Sequence, residues 1–327
     1  MNYVWENGGD AMAITDHGNM NALSYQIEAH KKMKAEGKDV KPIFGIEAYF
    51  IPSVDDWRKE YEKAKDKKKS KASSTNIEDE DASRKKIKNI LNRRHHIVIL
   101  AQNETGLKNL FQLVSKSFRQ ECFYRYPRID YKMLKRHNEG LIASSACIGG
   151  IYGACYWQRR EEGDKAVLEA MREVTENMVG IFGDRWHGEL QWNNIPEQHI
   201  INKFIIQVCK EYGVDLISTA DSHYPSPDAW KDRELYRRLG WLGKSNRPGW
   251  MSNELPSTLD EIGYELYPKN GDQMWESYKK YSEAANVEYD DDLVLESIKR
   301  THHIAHNRIE SFLPDNTVKL PSFVVPK

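Results

Sequence analysis

The stretch that most constrains this chain is 216–224, L-I-S-T-A-D-S-H-Y, where an apolar, β-branched run stops abruptly at Asp221 and His223. Side chains two apart on an extended chain share a face, so this carboxylate and imidazole emerge together where a buried strand ends. Such a pair suits a hard-to-borderline metal ion. The run 11–17, A-M-A-I-T-D-H, has the same form and closes on Asp16 and His17. Two strands that end this way call for a fold that gathers several strand ends at one mouth.

Between these two runs, apolar stretches and amphipathic periods alternate. Strands are expected at 11–15, 40–51, 96–101, 140–145, 188–192 and 214–220. Helices are expected at 19–37, 104–118, 131–137, 164–182, 197–212, 272–285 and 291–312. Leu23, Ile27, His30 and Met33 make one face of the first helix, with Gly37 as its stop. Asn103 caps the second, whose apolar stripe is Leu107, Leu110, Phe111 and Val114. The alternation argues for parallel βαβ units in a barrel or an open sheet. Residues 57–94 break the pattern with Lys65, Lys67, Lys68, Lys69, Lys71 and an acidic run at 78–81, almost without apolar residues until Ile87. This composition reads as a solvated insertion, helical at its ends and mobile in the middle. Past Tyr224 the pattern loosens into turns, and 314–327 is an extended, proline-punctuated tail.

At 327 residues the chain can bury an ample core as one large α/β domain or two smaller ones. A formal net charge of −1 excludes a nucleic-acid binder that is basic over its whole surface, but leaves room for a local basic groove. Cys122, Cys147, Cys155 and Cys209 form no C-x-x-C pair and read as reduced thiols of a cytoplasmic protein. No apolar run approaches a membrane span, and the first residues do not resemble a signal peptide.

The residues able to carry chemistry are Asp16, His17, Cys147, Asp221 and His223 at strand ends. Glu47 joins them from inside a strand, and His96 from a strand start beside His95. A carboxylate within an apolar run must be paired, protonated or bound to a metal. His, Cys and carboxylate are the donor set of zinc, with manganese or iron as substitutes. The donors outnumber what one tetrahedral ion takes, which two or three ions sharing a carboxylate such as Glu47 would explain. Ions about 3.5–4 Å apart can activate water and stabilise the leaving oxygen of a phosphoester. Each residue also has a plainer reading. An Asp-His pair after a strand is commonly a turn, and a single Cys a small buried hydrophobe. His96 opens its strand instead of closing it, so either His95 or neither could be the functional one. His302, His303 and His306 offer an i, i+4 pair, but without a carboxylate-rich strand end they read as surface. It is convergence that lifts the metal reading.

Six motifs in order carry a resemblance: T-D-H-G-N-M (15–20), K-P-I-F-G-I-E-A-Y (41–49), H-I-V-I-L-A-Q-N-E-T-G-L-K-N-L (96–110), E-G-L-I-A-S-S-A-C-I-G-G (139–150), G-E-L-Q (188–191) and T-A-D-S-H-Y (219–224). Together they resemble the PHP (polymerase and histidinol phosphatase) domain, and more closely the PHP region of bacterial replicative DNA polymerase III alpha subunits. E-L-Y-P-K-N-G-D-Q-M (265–274) and L-P-S-F (320–323) fit the same branch. The resemblance implies an α/β fold, a distorted (β/α)7 TIM-like barrel over 1–225 with 57–94 as an insertion. A helical and extended segment, 226–327, would then lead toward a polymerase palm. It implies metal ligands at His17, Glu47, His96, Cys147, Asp221 and His223, which selects His96 over His95. His17, Glu47 and Asp221 would act through metal-bound water, and Asp16 would stand behind the ligands. The family's initial His-x-His and its following Asp would belong upstream of Asp10, and the chain has neither. A missing first strand and weak or absent turnover are therefore expected of this piece. The implied activity is 3′–5′ phosphodiester cleavage at DNA ends during replication, using two or three Zn2+ ions. The implied partners are DNA, the rest of the polymerase subunit and a proofreading exonuclease subunit, with no membrane. A docking scaffold for that exonuclease and a free-standing phosphoesterase are the alternatives.

Overall fold

In the computed structural model six strands form one sheet: β1 (Ala11–Ile14), β2 (Lys41–Phe50), β3 (His95–Ala101), β6 (Leu141–Ser144), β7 (Trp186–Leu190) and β8 (Leu216–Ser218), adjacent in that order. A separate hairpin pairs β4 (Phe123–Tyr124) with β5 (Tyr126–Pro127). The structure describes residues 1–71, 88–240, 257–258, 260–262, 264–315 and 317. The centre of the insertion, 72–87, and most of the tail lie outside the described residues.

β1–β2, β6–β7 and β7–β8 run parallel, as the alternation implies. β3 does not: it is antiparallel to both β2 and β6, which corrects the expectation of parallel units throughout. A parallel return needs a crossover to the far end of the sheet. Here the helix Val54–Lys71 packs Trp57 and Tyr61 against Ile90 and Leu91, and β3 starts beside the end of β2, with His95 opposite Phe50 and His96 opposite Tyr49. The reversal brings the first residues of β3 to the mouth where the other strands end.

The sheet is strongly curled. β2 and β8 are four places apart, a span of roughly 19 Å in a flat sheet. Yet Ile43 of β2, Ile142 of β6 and Ile217 of β8 share one cluster with Ile304, Ala305 and Ile309. The expected helix 291–312 is α-helical only over Asp291–His303 and continues as a π turn, Ile304–Arg308. This turn fills the concave side at the end where β1 and β2 begin. The Lys41 ammonium fastens it there by donating to Ala305 O (2.6 Å) and Ile309 O (2.5 Å). The architecture is thus mixed α/β, a curled half-barrel of TIM-like type with six strands among the described residues.

Helices Glu104–Ser117, Asp164–Phe182, Pro196–Tyr212, Gly271–Ala284 and Asp291–His303 all bury apolar residues, most of them in the cluster on the convex side. Asn103 caps the first of them, its side chain accepting from Gly106 N–H. Sequence reading overlooked Ile151–Arg159 and expected turns where Trp230–Leu239 is helical. The latter helix buries only Trp230 and Glu234, too few for an apolar stripe to show. All four cysteines are free. Among the described residues, no helix is long and apolar enough to cross a membrane.

His187 on β7 is 1% exposed, and its Nδ1 has no hydrogen-bond partner among the described residues. Burial lowers its pKa from 6.5 to about 4. The unfolded chain therefore binds this proton between those values while the native chain does not, so stability falls as pH drops from 6.5 to 4. The loss amounts to about 3 kcal/mol. Urea midpoints of the metal-free protein across this range should show it, and His187→Gln should flatten the profile.

Candidate metal centre

The donors come from five strands, Glu47 from within β2 and the others from the ends of β1, β3, β6 and β8, and local geometry explains their aim. After β1 the chain stays beside β2: Glu47 N–H donates to Asp16 O (3.1 Å) and Gly18 N–H to Glu47 O (2.9 Å), which sets His17 against Glu47. Glu47 is buried at 6% exposure. His96 reaches the same spot from the start of β3, and its N–H donates to Gly149 O (3.2 Å). Cys147 lies in the tight turn after β6, where Ala146 has φ 58° and Gly150 N–H donates to Cys147 O (2.7 Å). A Cβ on Gly150 would fall 2.1 Å from Ser145 O, so the turn admits no side chain there. Asp221 follows β8 with φ 48°. Left-handed backbone at non-glycine residues costs about 1–3 kcal/mol and gathers at functional sites.

The result is two donor groups that share one carboxylate. His17, Glu47 and His96 offer ligand atoms within 4.8 Å of one another, and so do Glu47, Cys147 and Asp221. His96 Nδ1 is 2.6 Å from Glu47 Oε1, and His17 Nδ1 is 3.5 Å from Oε2. Cys147 Sγ is 3.9 Å from Glu47 Oε1 and 3.6 Å from His96 Nδ1. His223 stands at the rim, 31% exposed, its ring 5.8 Å from that of His17 and its Nδ1 on Asp221 O at 2.7 Å. Its Nε2 is the nitrogen left for a ligand. Asp16 accepts from Ala22 N–H (2.8 Å) at the start of the helix Leu23–Ala35, and supports His17 through its backbone. His95 turns elsewhere, its Nε2 3.4 Å from Gln158 Nε2.

The electrostatics show an anionic knot that the protein only partly answers. Burial pushes Glu47 up, but the hydrogen bond and charge of His96, with His17 and His223, outweigh it and hold the carboxyl low. Burial, then the Glu47 charge, raises Asp221. Burial, then Asp221 and Glu47, raises Cys147 well above the thiol range. Burial lowers His17 toward its neutral form. A divalent cation would favour each of these as a donor, with carboxylate and thiolate ionised and imidazole neutral. Ligand atoms around a tetrahedral zinc ion lie roughly 3.3–3.8 Å apart, close to the 3.5 Å from His17 Nδ1 to Glu47 Oε2 and the 3.6 Å from Cys147 Sγ to His96 Nδ1. The residues fit the group.

Sequence reading missed Glu189. It is 5% exposed on β7, where it accepts from Ser144 Oγ (2.6 Å), Thr219 Oγ1 and Gln191 Nε2 (3.3 Å), and burial raises its pKa. Its charge reaches Cys147. The signal was available, since Glu189 is a carboxylate inside a strand just as Glu47 is. The three donors Asp10, His302 and His306 also come within 4.8 Å, so the helix histidines do have a carboxylate beside them, from a strand start.

The sequence matches the PHP domain family over residues 2–192. The DNA polymerase III subunit alpha of Aquifex aeolicus (strain VF5) is 38% identical over 223 residues, covering 68% of this chain and 16% of that protein. The subunit of the same name from Campylobacter jejuni subsp. jejuni serotype O:2 is 30% identical over 282 residues, covering 85% of this chain and 20% of that protein. The one from Thermus aquaticus is 33% identical over 214 residues, 65% of this chain and 14% of the relative. The chain thus spans a fifth or less of the length of these relatives. The matched region runs from the short helix Asn2–Glu6 through β7, and with it this chain belongs to the PHP domain family.

Proposed function

We propose that this chain is the PHP region of a DNA polymerase III alpha subunit, acting in DNA replication as a metal-dependent 3′–5′ phosphodiesterase on DNA ends. The observation that carries the reading is the pair of donor groups meeting at Glu47. His17, Glu47 and His96 would hold one ion, Glu47, Cys147 and Asp221 a second, and His223 would complete the set from the rim. Zinc suits these donors best, with manganese or iron as substitutes. Ions held this way supply an activated nucleophile at neutral pH and offset charge growing on the phosphate.

The protein's own side chains prepare the rest. Glu47, common to both donor groups, would keep the two positions in register. His223, being exposed, is placed to meet the phosphate that enters. Beside His17 and His96, the Arg94 guanidinium lies 3.7 Å from the Tyr126 ring centroid and 5.2 Å from that of Tyr49. That edge suits a stacked terminal base and its phosphate. The partners in this reading are DNA, the remainder of the polymerase subunit and a proofreading exonuclease subunit, all in the cytoplasm.

The test is the purified chain, loaded with zinc or manganese and assayed for bound metal and for nucleotide release from 3′ ends. Bound metal with slow, chelator-sensitive release is expected. A chain that takes up no metal at these donors, or whose release survives chelation, would overturn the reading.

A further inference from the structure

A second cluster of metal-ligating side chains lies at the opposite end of the sheet from Glu47. His302 lies in the last turn of the helix Asp291–His303 and His306 one turn on, within the π turn. Their ring centroids are 4.4 Å apart, and His306 Nε2 is 3.0 Å from Asp10 Oδ1. One donor atom from each of the three falls within 4.8 Å of the others. We propose that Asp10, His302 and His306 bind a divalent first-row transition metal ion, which clamps the start of β1 to the end of the C-terminal helix.

Two imidazoles and a carboxylate, with the remaining positions open to water, suit zinc and its neighbours. Histidines at i and i+4 present both rings to one ion. A simple His306–Asp10 pair would need a single imidazole, and His302 supplies another within reach. The frame exists before any ion arrives. Lys41 N–H donates to Asp10 O (2.7 Å), while its ammonium holds Ala305 O and Ile309 O on either side of His306. Both halves of the site are therefore fastened to one residue. The Lys41 ammonium is a positive charge near Asp10, and its bonds to those carbonyls engage it away from the donor atoms. Arg308 is drawn off as well, pairing with Asp184 at 3.1 Å. All three donors are exposed, so an ion can enter directly.

The chain is stripped with chelator, titrated with zinc, and its zinc content measured beside its melting temperature. The double variant His302→Ala, His306→Ala changes only exposed side chains, and circular dichroism checks its fold. It should bind one zinc ion fewer than the unmodified chain and lose part of the zinc-dependent rise in melting temperature. Asp10→Asn should weaken that position at least about tenfold. In a Glu47→Gln background this ion should be retained, which separates it from the centre at the other mouth. Equal zinc content and an equal zinc-dependent rise in the double variant would overturn the proposal.

Discussion

Glu47→Gln is expected to cost the chain both positions of its metal centre, with affinity at each falling by at least about 100-fold. Glu47 is the one residue common to both donor groups, and it is buried among His17, His96 and Cys147. Glutamine keeps the size and one carbonyl oxygen but removes the charge, and its amide nitrogen cannot bind a cation. His17→Ala and Cys147→Ser give the contrast, since each belongs to a single group and should remove one position only. His95→Ala should remove none, because His95 faces Gln158. Equilibrium dialysis with zinc reads all four, and a Glu47→Gln chain that binds as the unmodified one would contradict the shared-carboxylate arrangement.

Arg128→Leu is expected to destabilise the chain by about 4 kcal/mol. Arg128 is fully buried. It donates to Arg93 O (3.0 Å), Tyr124 O (3.1 Å), Tyr126 O (2.9 Å) and Leu91 O, with its guanidinium 4.3 Å from the Trp57 ring centroid. Burial lowers its pKa to about 10. Leucine fills much of the volume but strands four carbonyls, and each unsatisfied buried acceptor costs about 1–3 kcal/mol. These carbonyls belong to the β4–β5 hairpin and to the segment leading into β3, so the edge formed by Arg94 and Tyr126 should loosen too. Urea unfolding measures the effect, and a loss below about 1 kcal/mol would show that the carbonyls find other donors.

The parts of the fold that are local in sequence were legible there. Apolar runs gave the strands, and the helices 164–182 and 197–212 are Asp164–Phe182 and Pro196–Tyr212 in the structure. Asp and His at the ends of 11–17 and 216–224 stood out as candidate donors, because period-two geometry fixes which side chains share a face, and of these His17 and Asp221 fall in the two donor groups. What stayed hidden depends on pairing across the chain. Alternation cannot show that β3 reverses, and so His96 looked misplaced at a strand start until its antiparallel register with β2 put it beside Tyr49. Asp10 and His306 are 296 positions apart, and no period links them. The π turn at 304–308 carries the same residue types as an α-helix and differs in its i→i+5 hydrogen bonding, Ile309 N–H donating to Ile304 O (3.1 Å). The helix 19–37 begins late, at Leu23, because Asp16 caps the turn before it. Glu189 was missed for a different reason: its strand is short, so the carboxylate inside it, though of the same kind of signal as Glu47, carried less weight.

The central claim, that donors from four strand ends form one centre around Glu47 of β2, is tested most directly by anomalous scattering at the zinc edge from crystals grown with zinc. Two peaks about 3.5–4 Å apart, one beside His17 and His96 and one beside Cys147 and Asp221, with Glu47 between them, are the predicted result. A map with no peak within coordination distance of Glu47, or with a single ion that Glu47 does not touch, would contradict it.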